Sequence, residues 1–205
     1  MSTAATSTDL EVFSGAPAPA PPRPRVLLVG SALAATASAM VVLTLIAIYV
    51  RMRADVIAGG ESWLPEEVNL QLSPGNMGMV TLLMSGVTVA WAVDALRNDD
   101  RLHAYLAFGV SILLGVAYIP TVVFGWQQLG LGISDTPQAL LIYTITALHV
   151  AMVGVGLLFL AVMAFRALGG QLTGRGAEGA AAAALYWYVA IAVYAVVWYT
   201  ITVTK

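Results

Sequence analysis

The sequence predicts an all-α membrane protein, a bundle of five transmembrane helices, and two observations carry that expectation. Hydrophobic residues make up 60% of the chain and charged residues only 10%, well above the ~45–50% apolar content of an average soluble domain. The apolar residues also fall into five runs, at 26–50, 77–96, 102–126, 138–165 and 180–204. Each reaches the ~20 residues that cross a ~30 Å hydrocarbon layer. A chain of 205 residues has room for these spans and no large soluble domain. We divide it into an Ala/Pro-rich tail at 1–24 and a transmembrane domain at 25–205.

The tail opens polar and uncharged and continues into Ala16-Pro-Ala-Pro-Ala-Pro-Pro22, a composition that favours extended polyproline and buries no core. A cleaved signal would open on basic residues, so the first span is expected to be a retained helix. The tail is expected to lie along partner subunits at the cytoplasmic face.

The connections alternate in character. The one from Arg51 to Asn76 is long and carries Glu61, Glu66 and Glu67; the next, Arg97 to Arg101, is short and charged; Gln127 to Pro137 has no cation; Arg166 to Gly179 is glycine-rich. Arg23, Arg25, Arg97, Arg101, Arg166 and Arg175 fall on one side, against Arg51, Arg53 and Lys205 on the other. Cytoplasmic loops hold the excess of basic residues, so the N-terminus is expected to be cytoplasmic and the C-terminus external. Asp94, Asp99 and Asp100 sit among the arginines of the short turn and are expected to cap its two helices.

Trp63, Trp91 and Trp126 lie near predicted span ends, where an indole suits the membrane interface, and are expected to anchor the bundle there. Small residues at helical intervals, Ser31, Ala35 and Ala39 in the first span and Ala147, Ala151 and Gly154 in the fourth, would let helices approach closely. Pro120 removes one helical hydrogen bond and should bend the third span near its outer end.

Few residues could carry chemistry. His149 is the one group titrating near neutral pH that lies deep in a span, which makes it the leading candidate for a site. A metal would want three or four ligands, and no second deep His, Asp, Glu or Cys accompanies it. A bis-histidine haem would have to recruit His103 from the inner end of another span. The alternative is a neutral imidazole hydrogen-bonding between helices.

A proton pathway would call for a file of carboxylates or histidines, and a secondary transporter for broken helices and internal repeats; neither pattern is present. Nor is a phosphate loop, a nucleophile elbow or a dinucleotide fingerprint. Cysteine is absent and the net charge is -2, so no thiolate site and no nucleic-acid partner is expected. We assign no catalytic, cofactor-binding or metal-binding residue to this chain.

Several stretches resemble subunit III of cytochrome c oxidase in its shorter, five-helix bacterial form. Ala47-Ile-Tyr-Val-Arg-Met-Arg-Ala54 is similar to the family's aromatic helix end followed by arginine, and Trp63-Leu-Pro65 to its external tryptophan and proline. Met84 to Arg97 resembles its serine-bearing second helix. Ala147-Leu-His-Val150 followed by Gly154 is similar to its G-L-H-V-x-x-G helix. Ala180 to Ala184, leading into Leu185-Tyr-Trp-Tyr-Val189 and then Val197-Trp198, resembles its alanine run, Y-W-H-F-V-D and closing tryptophans. His149, Tyr186, Trp187, Tyr188 and Trp198 are the family-motif residues on this reading.

The departures are equally specific. The family's membrane glutamate falls on Ser38, the first of its paired histidines on Thr146, and the histidine and aspartate of Y-W-H-F-V-D on Tyr188 and Ile191. The resemblance implies a non-catalytic subunit of a respiratory oxidase, packed on core subunit I and other oxidase subunits, with phospholipids in its grooves. It implies haem and copper in the partner subunits and none here, support of proton uptake by the core, residence in the inner (cytoplasmic) membrane, and room for a respiratory supercomplex. The accessory subunit of a nitric oxide reductase, which shares the fold and pairs with a different catalytic chain, is the alternative within the family, and a small membrane transporter or channel is the alternative from another class.

Overall fold

A computed structural model describes residues 25–65, 68, 71–170, 172 and 178–203. The expected tail, Glu66, Glu67, Arg175 and Lys205 lie outside the described residues. Among the described residues five helices follow in order: α1 Val26–Ala58, α2 Leu72–Arg97, α3 Arg101–Leu129, α4 Pro137–Leu168 and α5 Glu178–Trp198, which ends in a π-helical turn at Tyr199–Val203. All five are long and apolar enough to cross a membrane. Most overrun the expected spans. The 33 residues of α1, at 1.5 Å each, run about 50 Å, so the helix continues from Val50 to Ala58 beyond a ~30 Å apolar layer.

The helix ends follow local chemistry. Pro74 sits in the first turn of α2, where a missing N–H costs no intrahelical bond. Asp100 caps α3, its side chain accepting from the His103 backbone N–H at 3.2 Å, so this carboxylate supplies the capping expected of the charged turn. Gly130 closes α3 at φ 68°, a left-handed stop that glycine takes without strain. Thr136 caps α4, accepting from the Ala139 N–H at 3.1 Å, with Pro137 next. Glu178 lies in the first turn of α5, at the positive end of the helix dipole. Helix α3 continues through Pro120.

Helix neighbours define the architecture. α2 packs on α3, α3 on α4, α4 on α5, and α5 back on α2, which closes a four-helix ring; α1 lies outside it against α5 and α4. α5 is therefore the most enclosed element, with 61% of its most apolar stretch buried against 28% for α1. Leu33, Leu113 and Phe165 face outward at about 70% exposure, as lipid-facing side chains do.

The two small-residue stripes fare differently. Ser31, Ala35 and Ala39 are buried against the bundle, and the Ser31 hydroxyl donates to the Ala182 carbonyl of α5 at 2.6 Å. Ala147, Ala151 and Gly154 instead face outward, and a Cβ on Gly154 would meet nothing within 4 Å. The glycine of α4 that admits a neighbour is Gly156, on the opposite face, because the bulky group requiring space projects from α5 onto that side.

Candidate functional site

Two buried side chains organise the ring. His149, on α4, is fully enclosed. Its Nε2 lies 3.0 Å from the Ala190 carbonyl of α5, which can only accept, so this nitrogen carries the proton. Nδ1 is then the acceptor, and the Tyr118 hydroxyl of α3 donates to it at 2.9 Å. The tautomer follows from the partners. A neutral imidazole satisfies both bonds, whereas a charge at this depth would be costly. Tyr194 of α5 completes the group: its ring lies 5.1 Å from that of His149 and 4.9 Å from that of Tyr118, while its hydroxyl donates to the Gly75 carbonyl of α2 at 3.1 Å. One three-ring cluster thus ties all four helices of the ring together.

Trp187 fills the space between the same four helices. It projects from α5, is fully buried, and donates through Nε1 to the Ser85 hydroxyl of α2 at 2.7 Å. A Cβ on Gly115 of α3 would lie 2.7 Å from its ring, and one on Gly156 of α4 would lie 2.8 Å from it. The indole is therefore clamped between two helix backbones that only glycine lets approach. Tyr186 faces α1, with its hydroxyl 3.3 Å from that of Ser38.

The remaining expected residues take their places around this centre. Trp63 is buried, donating through Nε1 to the Tyr49 hydroxyl at 2.9 Å with its ring edge-on to that tyrosine. It fastens the loop after α1 to α1, and its ring packs inside the protein. Trp126 is half-buried and donates to the Thr146 hydroxyl at 2.8 Å, joining α3 to α4. Trp198 donates to Asn76 at 2.9 Å, joining α5 to α2. Trp91 is exposed and lies beside the ring of His103, at 5.8 Å between centroids. His103 in turn meets the Asp100 carboxylate at 2.6 Å. The backbone N–H and ring of His103 hold the Asp100 carboxyl below its ordinary value of 3.8. His103 and His149 stand on different helices with separate partners, so the structure does not pair them as haem ligands. Among the described residues no three His, Asp or Glu side chains gather as a metal site.

The side-chain bonds of His149, Tyr118, Tyr194 and Trp187 each join one helix to another. A sequence model described as cytochrome c oxidase subunit III matches residues 25–204, the whole five-helix bundle. The chain belongs to the cytochrome c oxidase subunit III family. A relative called "Probable cytochrome c oxidase subunit 3" from Rickettsia conorii is 34% identical over 109 residues, covering 52% of this chain and 38% of that protein. "Cytochrome c oxidase subunit 3" of Sus scrofa is 31% identical over 132 residues, 63% of this chain and 50% of the relative, and that of Bos taurus matches to the same extent. The chain spans half or less of the length of these curated relatives.

Four positions were expected from the sequence to depart from the family's pattern, and the structure shows what each one touches. Ser38 donates to the Ala34 carbonyl at 2.9 Å and meets Tyr186. Thr146 donates to the Ile142 carbonyl and accepts from Trp126. Tyr188 reaches the Gly86 carbonyl at 3.3 Å. Ile191 is buried against the same glycine, whose added Cβ would lie 2.9 Å from it. All four positions serve helix packing in this member of the subunit III family. Tyr118, Tyr194, Ser85, Gly115 and Gly156 escaped sequence reasoning. The available signal was register: Gly156 follows His149 by seven residues, and Tyr194 follows Trp187 by seven, two helical turns along one face.

Proposed function

We propose that this chain is a non-catalytic, subunit III-like component of a respiratory haem-copper oxidase. It stabilises the catalytic core subunit, which holds the haem and copper, and supports proton uptake into that core during aerobic electron transport. The observation that carries this reading is the family match across the entire bundle, joined to an interior in which His149, the one deep titratable group identified from the sequence, has both nitrogens committed to bonds between helices. Such an interior suits scaffolding.

In the same reading the chain sits in the inner (cytoplasmic) membrane with its N-terminus cytoplasmic and its C-terminus external. The surplus of arginines at the α2–α3 and α4–α5 connections supports that orientation. Core subunit I, other oxidase subunits and phospholipids are its partners, with the outward apolar faces of the helices available to them, and a respiratory supercomplex is a further setting. Trp91, exposed at the inner end of α2, serves as an interface anchor.

Purification of the tagged chain from membranes in mild detergent tests the proposal. A large membrane partner and haem absorbance should accompany it in fixed ratio, and recovery of the chain alone would overturn the assignment. A nitric oxide reductase would be recognised by the catalytic chain recovered.

A further inference from the structure

The bond between Tyr118 and His149 has a chemistry that holding helices together does not use. Most phenols of this chain meet groups that cannot take up a proton. The hydroxyls of Tyr105, Tyr143, Tyr188 and Tyr194 donate to backbone carbonyls, that of Tyr186 meets the Ser38 hydroxyl, and that of Tyr49 accepts from an indole. Tyr118 differs from all of these, because it donates to a base, His149 Nδ1, at 2.9 Å. Both residues are fully enclosed, so water does not compete for that proton.

A phenol that loses an electron becomes a strong acid, and a base already bonded to it can take its proton in the same step. His149 offers the lone pair for this on Nδ1, since its Nε2 proton is committed to the Ala190 carbonyl at 3.0 Å. The imidazolium so formed keeps both bonds, and the one to Ala190 becomes charge-assisted and therefore stronger. The Tyr194 ring lies 5.1 Å from the imidazole, tilted by 35°, inside the ~6 Å over which an aromatic face attracts a cation. A route for the electron is also built. The Tyr194 ring stands 4.9 Å from that of Tyr118, and Trp198, four residues further along the same face of α5, is half-buried and bonded to exposed Asn76. Aromatic rings thus lead from Tyr118 to the edge of the bundle.

We propose that Tyr118 and His149 form a redox-active pair in which the tyrosine gives one electron to a high-potential oxidant while its phenolic proton moves to His149 Nδ1. The oxidant is of the organic peroxyl radical class. Its electron comes from Tyr118, the O–H bond of the phenol breaks, the Nδ1–H bond forms, and the products are a neutral tyrosyl radical, an imidazolium and a peroxide anion that water at the membrane surface protonates. The far nitrogen of His149 faces a carbonyl, which takes no proton, and a charge at this depth is costly, so the transferred proton stays between the two residues. Tyr194 lacks this chemistry although it stacks on Tyr118, because its own hydroxyl donates to the Gly75 carbonyl. The pair works in the same way whichever catalytic partner the chain serves.

Electron paramagnetic resonance tests the pair. The full chain in lipid nanodiscs is oxidised by flash-generated ruthenium(III) tris-bipyridine, with persulfate as electron acceptor, and frozen in ordinary or deuterated buffer. A long-lived tyrosyl signal should appear, coupled to one exchangeable deuteron at the phenoxyl oxygen, and Tyr118→Phe should lower its yield at least fivefold. The exposed phenols of Tyr188 and Tyr199 lose their protons to solvent and supply the short-lived background that remains. His149→Gln keeps an acceptor for Tyr118 and a donor for Ala190 but no base. It should lower the yield as far as Tyr118→Phe does while far-ultraviolet circular dichroism reports an intact bundle. Tyr194→Phe, which keeps the stacked ring, should leave the signal in place. A signal undiminished in Tyr118→Phe or in folded His149→Gln would overturn the proposal. So would a wild-type signal without the deuteron coupling, or no long-lived signal at all, results that require no variant to fold.

Discussion

Gly156→Ala should destabilise the bundle although alanine is the better helix former. The added methyl would lie 2.8 Å from Trp187 Cε3 and 3.0 Å from Cζ3, well inside van der Waals contact. The indole cannot slide away, because Gly115 closes on its far edge and the 2.7 Å bond to Ser85 holds its nitrogen. Overpacking of this kind costs ~1–3 kcal/mol, while exchanging glycine for alanine in a helix returns ~0.8–1 kcal/mol. The net loss should be about 1 kcal/mol. Gly154→Ala, two residues away with nothing near its Cβ, should be neutral or stabilising, and this pair separates packing from propensity. Unfolding of the bicelle-embedded protein by dodecyl sulfate, followed by far-ultraviolet circular dichroism, measures both. In a Trp187→Leu background, which removes the ring, Gly156→Ala should reverse sign and stabilise. An equal penalty in both backgrounds would refute the clamp, and so would a stabilised Gly156→Ala single variant.

Tyr118→Phe removes the donor to His149 Nδ1 and leaves a buried acceptor unpaired, so it should cost about 1–3 kcal/mol in the same unfolding assay. Ser31→Ala breaks the contact with Ala182 and should cost only about 0.6 kcal/mol, the average for hydrogen bonds between membrane helices. Trp63→Phe deletes the bond to Tyr49 and should speed proteolysis of the loop following α1 while the helices keep their protection. At the charged turn the Asp100 carboxyl is held below 3.8 in the folded chain. Its cap therefore contributes above that value and is lost as the pH falls through the depressed one. Hydrogen-exchange protection of the first turn of α3 should be steady from pH 5 to 8 as far as Asp100 is concerned, and Asp100→Ala should lower it throughout.

The number and order of the helices were legible in the sequence because membrane insertion is decided by apolar length, a property of consecutive residues. Their ends were less so, since α1 carries its helix through Arg51, Arg53 and Asp55 by local bonding, including the Arg51–Asp55 contact at 3.0 Å, after hydropathy has ceased to mark it. His149 could be picked out by its cost in a membrane, and that cost also dictated its answer, two partners on two other helices.

Which face of each helix turns inward was the part the sequence hid, and the reason is the solvent. In water the inward face announces itself as apolar, but here lipid and core are equally apolar, so Leu113 outside and Leu82 inside look alike. Polarity alone does not replace that signal: Thr36 and Thr44 face outward with their hydroxyls folded back on Ala32 and Met40, while Ser85 and Ser111 face inward. Small size does not replace it either, as Gly154 and Gly156 demonstrate on one helix. What sets the face is a complementary pair, a large group on one helix and an absence on the other. Trp187 with Gly115 and Gly156 is such a pair. The register of His149 and Gly156, both inward and seven residues apart, is the trace it leaves in the chain.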